Sequence, residues 1–429
     1  MPERRLIYHN DTRHTYLYAF EPPMTMRDAQ RPVDEIAGTG VDTLVSHVGD
    51  WGVVKAGLFY RTKLGLDWTP PTPVEGDWWR ARKNLESLWE KGLDPISILA
   101  DRAHEKGMEF FGSLRMNYGN LERDSKLRIG GETEIIQEAD RPVSGGALPG
   151  FDIPVSAPAG PFSMLRENHA DYAREEVRKK ALAILDELAR SCALDGIELD
   201  WTITPFYFRK DAARENTLVM TDLVRQIAKL VRGEGKLLSA RVFPTEEINL
   251  AAGLDVRAWI REGLIDLVTP LFYGVGGIDP QMPYDWLIEL ARAHGIKVYP
   301  MVEPGAAETT ATASMMRAAA ANAYARGADG VYTWGFPWPL GPGERGLLTE
   351  LAAPDFLQEA DKLYVFRRRA RGSERARAAA QLAEYLGYPS PLPISLEAGQ
   401  GKRELPFYLA DHVEEAHDRL SAVTLRVKA

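Results

Sequence analysis

One cysteine, Cys192, is all that 429 residues contain, so no internal disulfide can form and no thiol pair is present for redox or zinc chemistry. Its helical neighbours make it a small buried residue. Positive charge is also in short supply: 52 Lys and Arg stand against 61 Asp and Glu, a net charge of −9, which argues against a nucleic-acid partner. The single basic cluster, Arg367-Arg368-Arg369 with Arg371, Arg375 and Arg377, has no interleaved aromatics and reads as a solvated connector or helix face. No stretch of about 18 uninterrupted apolar residues occurs, which gives no membrane span. Residues 1–10 hold no apolar run of signal-peptide length, so the chain is expected to be cytoplasmic. Missing too are a Gly-x-Ser-x-Gly elbow, a Cys/His pair for nucleophilic catalysis and a glycine-rich phosphate turn. The segment after the first strand, His9-Asn10-Asp11-Thr12, has no glycine at all, so no nucleotide cofactor is expected.

What is present is an ordinary globular balance, 45% hydrophobic and 26% charged, with ample material for a large core. Short apolar runs alternate with helical patterns. The candidate strands are 5–9, 43–48, 109–116, 196–201, 237–243, 264–272, 297–302 and 330–334, and eight is the barrel number. The clearest helix spans 170–191, with Tyr172, Val177, Ala181, Ile184, Leu185 and Leu188 in one apolar stripe. Glycines at 40, 107, 196, 295 and 330 punctuate the approach to several strands. The expectation is an α/β chain folded as a (β/α)8 barrel over 1–355, with a small β-rich C-terminal domain over 356–429. That appendage draws its strands from 362–366, 394–396, 404–409 and 422–427, with a helix at 374–386. A doubly wound open sheet is the competing fold. Two insertions interrupt the rhythm. Residues 118–168 are rich in Gly, Pro and charge, and 51–89 carry Trp68, Trp78 and Trp79 among prolines, either as rim platforms for sugar rings or as loop anchors.

The segment Asp195-Gly-Ile-Glu198-Leu-Asp200-Trp201 carries the chemistry. Alternation on a strand sends Glu198, Asp200 and Thr202 to one face and Ile197, Leu199 and Trp201 to the other. The C-terminal ends of barrel strands form the open face on which catalytic groups gather. Those ends bring together His9, Asn10 and Asp11; His47 and Asp50; Arg115 and Asn117; Glu198 and Asp200; Arg241, with Glu246 and Glu247 beyond it; Tyr273; Glu303; and Trp334 with Trp338. Such a set suits cleavage of a glycosidic bond, in which one carboxylic acid protonates the leaving oxygen and a second carboxylate attacks or activates water. Asp200 is expected to be nucleophile or base and Glu303 the proton donor, with Glu246 competing for that role. Glu198, one pleat deeper, either raises its neighbour's proton affinity or pairs with Arg241. Asp11, Asp50, Arg115, Asn117, Glu198, Arg241, Tyr273 and Trp334 are the expected sugar-binding residues. His9 and His47 lack the spacing that would fix a metal site, and no metal is expected. Two other readings stay open: a non-catalytic carbohydrate-binding barrel, and a metal-dependent sugar isomerase or epimerase using Asp11, Asp50 and Asp200.

Three segments in order, Ser-Leu-Arg115-Met-Asn117, the helix around Glu176-Val177-Arg178, and Asp195-Gly-Ile-Glu-Leu-Asp200-Trp followed by Pro205-Phe-Tyr-Phe, resemble the bacterial glycosyl-hydrolase-like-10 proteins. The resemblance covers approximately residues 1–350. It implies a barrel of the family-10-like glycoside hydrolases, often with a β-rich C-terminal extension, and functional roles for Arg115, Asn117, Glu198 and Asp200. The chain departs from that pattern at Tyr118, where members carry an acid, and at Thr202 and Ile203, where an arginine is expected. Family 18 chitinases have an acid at the position of Thr202, so substrate-assisted cleavage of an N-acetyl sugar is not expected. Barrel glycosidases with acids on strands four and seven are similar to the arrangement of Asp200 and Glu303, but carry Asn-Glu on strand four.

Overall fold

A computed structural model describes residues 6–12, 19–50, 57–65, 67, 77–117, 146–148, 151–155, 170–203, 207–209, 211–272, 278–304, 311–336, 339–366, 387, 388, 392, 402, 404–415, 418 and 420–426. Eight strands lie in one parallel sheet: β1 (Leu6–Asn10), β2 (Thr43–Asp50), β3 (Glu109–Arg115), β4 (Gly196–Asp200), β5 (Leu237–Val242), β6 (Leu267–Pro270), β7 (Lys297–Val298) and β8 (Val331–Trp334). β8 pairs with β1 in register Leu6 to Val331 through His9 to Trp334. β7 meets β8 through Asp329 N–H to Val298 O, Tyr332 N–H to Pro300 O and Val302 N–H to Tyr332 O, so the sheet closes on itself. The expected (β/α)8 barrel is the fold. β7 is shorter than its apolar run because Pro300 has no N–H to give to the ladder. β6 starts at Leu267 rather than 264, the preceding residues turning out of a short helix at Val256–Arg261.

Helices fill the connections. α1 (Met26–Ile36) begins with a capping box in which Thr25 and Asp28 each satisfy the other's backbone N–H, and α2 (Asp77–Trp89) occupies part of what sequence alone reads as an aromatic loop. α3 (Pro95–Glu105) starts on Asp94, whose carboxylate accepts from Ile96 N and Ser97 N. α4 (Glu175–Ser191) buries Val177, Ala181, Ile184, Leu185 and Leu188 as its periodicity predicts, while Tyr172 lies just before the helix and is also buried. Two apolar regions result. Outward-facing residues such as Leu199, Trp201, Ala240 and Val268 pack under the helices. Inward-facing Ile7, Val45, Phe111, Leu267, Leu271, Tyr299, Met301 and Tyr332 fill the barrel. Gly196 belongs to that interior, because a Cβ there would lie 2.4 Å from the Phe111 ring.

The N-terminal rim is built from one device used four times. A carboxylate just ahead of each even-numbered strand accepts the first or second N–H of the strand before it: Asp42 from Leu6 (3.1 Å), Asp195 from Phe110 (2.8 Å), Asp266 from Leu238 (2.8 Å) and Asp329 from Val298 (3.0 Å). These N–H groups sit below the ladder and have no strand carbonyl to reach, so the side chain supplies the missing acceptor.

The C-terminal segment does not form the expected strands where it is described: 362–366, 404–409 and 422–426 carry no ladder, and 394–396 and 374–386 lie outside the described residues. The stretch near residue 408 instead straps onto the barrel. Gln281 and Tyr408 exchange two bonds, Nε2–H to O at 2.9 Å and N–H to Oε1 at 2.8 Å, and Ala410 N–H reaches Asn322 Oδ1 at 2.9 Å. Arg326 lies over the Tyr408 ring at 4.6 Å. An extended segment whose hydrogen bonds go to side chains needs no partner strand.

Two stability predictions follow from this packing. Asp266→Ala leaves Leu238 N–H without an acceptor and removes the Arg232 ion pair, and should lower unfolding free energy by about 1–3 kcal/mol in a urea titration. Gly196→Ala must displace Phe111 and should lower Tm. The same change at Gly343, where an added methyl group meets no described atom within 4 Å, should be neutral or stabilising.

Candidate active site

The register of the central strands sets the site. Across β3, β4, β5 and β6, Ser113, Glu198, Ser239 and Leu267 form one row, and Arg115, Asp200, Arg241 and Thr269 form the row above it, toward the C-terminal mouth. Three charged side chains thus stand side by side on the interior face, all buried: Arg115 is 4% exposed, Asp200 2% and Arg241 1%. Charges at that depth need partners. Arg241 Nη1 lies 3.2 Å from Asp200 Oδ2, and Asp200 Oδ1 accepts from Thr202 N–H at 2.9 Å and Thr202 Oγ1 at 2.8 Å. Arg115 Nη2 donates to Asp11 Oδ2 at 2.9 Å. The other Asp11 oxygen faces His47 Nδ1 at 3.2 Å, while His47 Nε2 donates to the Gly49 carbonyl at 2.9 Å. The expected pairing of Glu198 with Arg241 is not formed, because Arg241 stands in register with Asp200, one pleat nearer the mouth.

Glu198 instead anchors a neutral network. Its Oε1 accepts from Ser113 Oγ at 2.7 Å and from Tyr332 OH at 3.0 Å. The Tyr332 hydroxyl has one hydrogen, which goes to Glu198, so its 2.8 Å contact with His9 Nδ1 makes that nitrogen the donor. Burial, reinforced by the Arg241 charge, pushes His9 well below the usual imidazole range, so the ring is neutral and Nε2 carries a lone pair. Burial raises the Glu198 carboxyl to about 7, with nearby Asp200 adding to the shift and Arg241 and the two hydroxyl donors opposing it. Among the described residues, five polar atoms of this interior have no hydrogen-bond partner: Glu198 Oε2, His9 Nε2, Arg241 Nε and Nη2, and Thr269 Oγ1.

Aromatic rings complete the wall. The Arg241 guanidinium lies 5.6 Å from the Tyr332 ring centre and 5.8 Å from that of Trp334, and His9 meets Trp334 edge-on at 5.7 Å. The Trp334 indole N–H donates to Glu303 Oε2, so Glu303 joins the same cluster through Trp334; both are half-buried.

The structure thus brings together Asp11, Arg115, Glu198, Asp200, Arg241, Glu303 and Trp334 from the sequence-derived set. Asn117 is placed differently. β3 ends at Arg115, and the Asn117 amide bonds both ways to the Ala170 backbone, Nδ2–H to O at 3.1 Å and N–H to Oδ1 at 3.2 Å, which pins the chain entering α4. Glu246 is drawn away by a two-pronged ion pair with Arg257 on neighbouring helices and is held below the usual carboxylate range by it. Tyr273, Trp338, Trp68 and the side chains of Asp50 and Trp78 lie outside the described residues, and Trp79 is exposed. Ser113 and Tyr332 escaped sequence reasoning, although two-residue spacing from Arg115 and Trp334 puts each on the inward face. Among the described residues no three His, Cys, Asp or Glu side chains converge as a metal site would require. Among them, too, no helix is long and apolar enough to cross a membrane.

No family model matches the chain, and no curated protein does. Solved structures that it resembles include glycoside hydrolases, each at low identity. Alpha-L-fucosidase isoenzyme 2 from Paenibacillus thiaminolyticus aligns at TM-score 0.49 and 12% identity, over 82% of this chain and 49% of that one. The maltogenic alpha-amylase AmyB from Thermotoga neapolitana aligns at 0.43 and 12%, over 82% and 77%. The GH36 alpha-galactosidase AgaA from Geobacillus stearothermophilus aligns at 0.43 and 14%, over 85% and 44%, so this chain spans less than half of that enzyme's length.

The raised Glu198 carboxyl has a thermodynamic consequence. The folded chain keeps a proton that the unfolded chain has released between about pH 4.5 and about 7. Stability should therefore fall as pH rises through that window and level off above it. Glu198→Gln should remove this component of the slope, as read from urea midpoints of both proteins from acid to neutral pH. Parallel curves would contradict the assignment.

Proposed function

We propose that the chain is a glycoside hydrolase that cleaves an oligo- or polysaccharide by a two-carboxylate mechanism. The observation that carries this reading is the strand β4 itself, which presents two carboxyls of opposite character on one face at the mouth end of a barrel. Asp200 is ion-paired with Arg241, and Glu198 is held toward its protonated form. An ion-paired carboxyl beside one that burial drives toward its neutral form supplies two unlike groups to one mouth, as a two-carboxylate reaction requires. In this reading Asp200 is nucleophile or base. Its orientation is set from one side by Arg241 and from the other by Thr202. Glu303, half-buried and tethered by Trp334, is the proton donor. Arg115 and Asp11 brace the wall against which a sugar would sit, and Trp334 offers an indole edge to it. The resemblance to family-10-like hydrolases belongs to this proposal, as does a small C-terminal domain over 356–429.

A second reading is favoured by one specific observation: Asp200 is only 2% exposed and both its oxygens are engaged within the chain. A barrel with its acids so occupied suits sugar binding without turnover.

Glu303→Gln should lower kcat on aryl glycosides by about 10²–10⁴-fold, with little change in Tm because its carboxyl is only half-buried. Asp200→Asn should abolish turnover and also lower Tm, since it strips Arg241 of its buried counter-charge. Sugar affinity in the wild-type protein with no turnover of any glycoside would overturn the hydrolase reading in favour of binding alone.

A further inference from the structure

Four of the unpartnered interior atoms belong to one connected group. Arg241 lies over the Tyr332 ring at 5.6 Å, and Tyr332 links His9 to Glu198 by bonds of 2.8 and 3.0 Å. Two of the four are donors, Arg241 Nε–H and Nη2–H, which form the forked edge of the guanidinium not used on Asp200. Another, His9 Nε2, is a lone pair. The fourth, Glu198 Oε2, accepts when the carboxyl is ionised and donates when it holds a proton, because Oε1 already takes two hydrogen bonds. Buried polar atoms left unmet are costly, so a group that answers all of them is strongly selected.

A carboxylate, phosphate or sulfate offers acceptors only. It would satisfy the Arg241 fork and a protonated Glu198 but leave the His9 lone pair unmet and repel Asp200. An N-acetyl group likewise brings a single donor with a bulky methyl. A hydroxyl accepts and donates at once. Two adjacent hydroxyls can take the two Arg241 protons and the proton that burial keeps on Glu198 Oε2 while giving one of their own to His9 Nε2, and when Glu198 is ionised the second hydroxyl gives to Oε2 instead.

From this match of donors and acceptors we infer that the deep end of the site recognises a neutral vicinal diol, making the ligand a neutral sugar rather than a uronic acid or a phosphosugar. The inference rests on the glycosidase reading only for the location of the site, since it concerns binding and not bond cleavage.

The test is isothermal titration of the full chain with methyl glycosides of glucose, galactose, mannose and xylose. The same titration is run with glucuronate and galacturonate, and with the 2-deoxy and 3-deoxy forms of whichever neutral sugar binds. At least one neutral glycoside should bind, a deoxy form that breaks the diol should lose about tenfold or more, and the uronates should not compete. Glu198→Gln keeps the Oε1 acceptor for Ser113 and Tyr332 but places an amide donor at the Oε2 position. Because that amide donates as the protonated carboxyl does, the variant should bind the neutral sugar within about threefold of the wild type and leave the native circular dichroism spectrum intact. Absence of binding by every neutral glycoside, equal affinity of the deoxy forms, or preference for a uronate would each overturn the inference. Binding without turnover would sink the hydrolase reading and leave this one standing, and turnover confined to uronides would do the reverse.

Discussion

The ion pair between Arg241 and Asp200 is the interaction on which the rest of the site depends. It joins neighbouring strands at a 3.2 Å contact, with both side chains sealed from solvent. Removing either partner leaves a charge in the barrel interior, a cost of several kcal/mol that no rotamer change can relieve. The surrounding groups follow from this pair. With Arg241 committed to Asp200, Glu198 has no cation of its own and takes hydroxyl donors from Ser113 and Tyr332. His9 then donates to Tyr332 through Nδ1 while burial keeps its ring neutral, and the aromatic pair Tyr332 and Trp334 covers the guanidinium face. Each assignment restricts the next, as happens in a low-dielectric network where an unmet bond is expensive.

The two ends of the barrel divide their tasks. At the N-terminal rim, Asp42, Asp195, Asp266 and Asp329 spend their carboxylates on backbone N–H groups of the preceding strands, so these acids are committed to holding the sheet. At the C-terminal mouth, the acids meet basic side chains, hydroxyls and rings, and among the described residues several polar atoms there are unmet. Stability supplied at one end offsets the unsatisfied groups at the other.

Much of this was legible in the chain. Two-residue alternation placed Glu198 and Asp200 on the inner face and Ile197, Leu199 and Trp201 under the helices, and the structure agrees. The eight strand positions came from apolar runs, and their ends erred where proline removed a donor at Pro300 or a short helix displaced the start of β6. Asn117 was misplaced because alternation was carried two residues past the end of β3, where the chain leaves the sheet and its amide is free to hold Ala170. The strands expected near 362–366 and 404–409 failed for another reason: β-forming composition needs a partner strand, and around residue 408 Gln281 and Asn322 met the backbone groups instead, while Leu363 N–H went to the Ser314 carbonyl.

Local sequence, through residue spacing and turn chemistry, determined the barrel, the inward parity of Arg115, Glu198, Asp200 and Arg241 and the buried character of Cys192. Those properties depend on neighbours a few positions apart. Which carboxyl Arg241 would choose, which Glu198 oxygen would be left bare and which His9 nitrogen would carry the proton were decided only when strands tens to hundreds of residues apart closed into register. A one-pleat offset there moves a charge by a full row, and no local pattern along the chain encodes that offset.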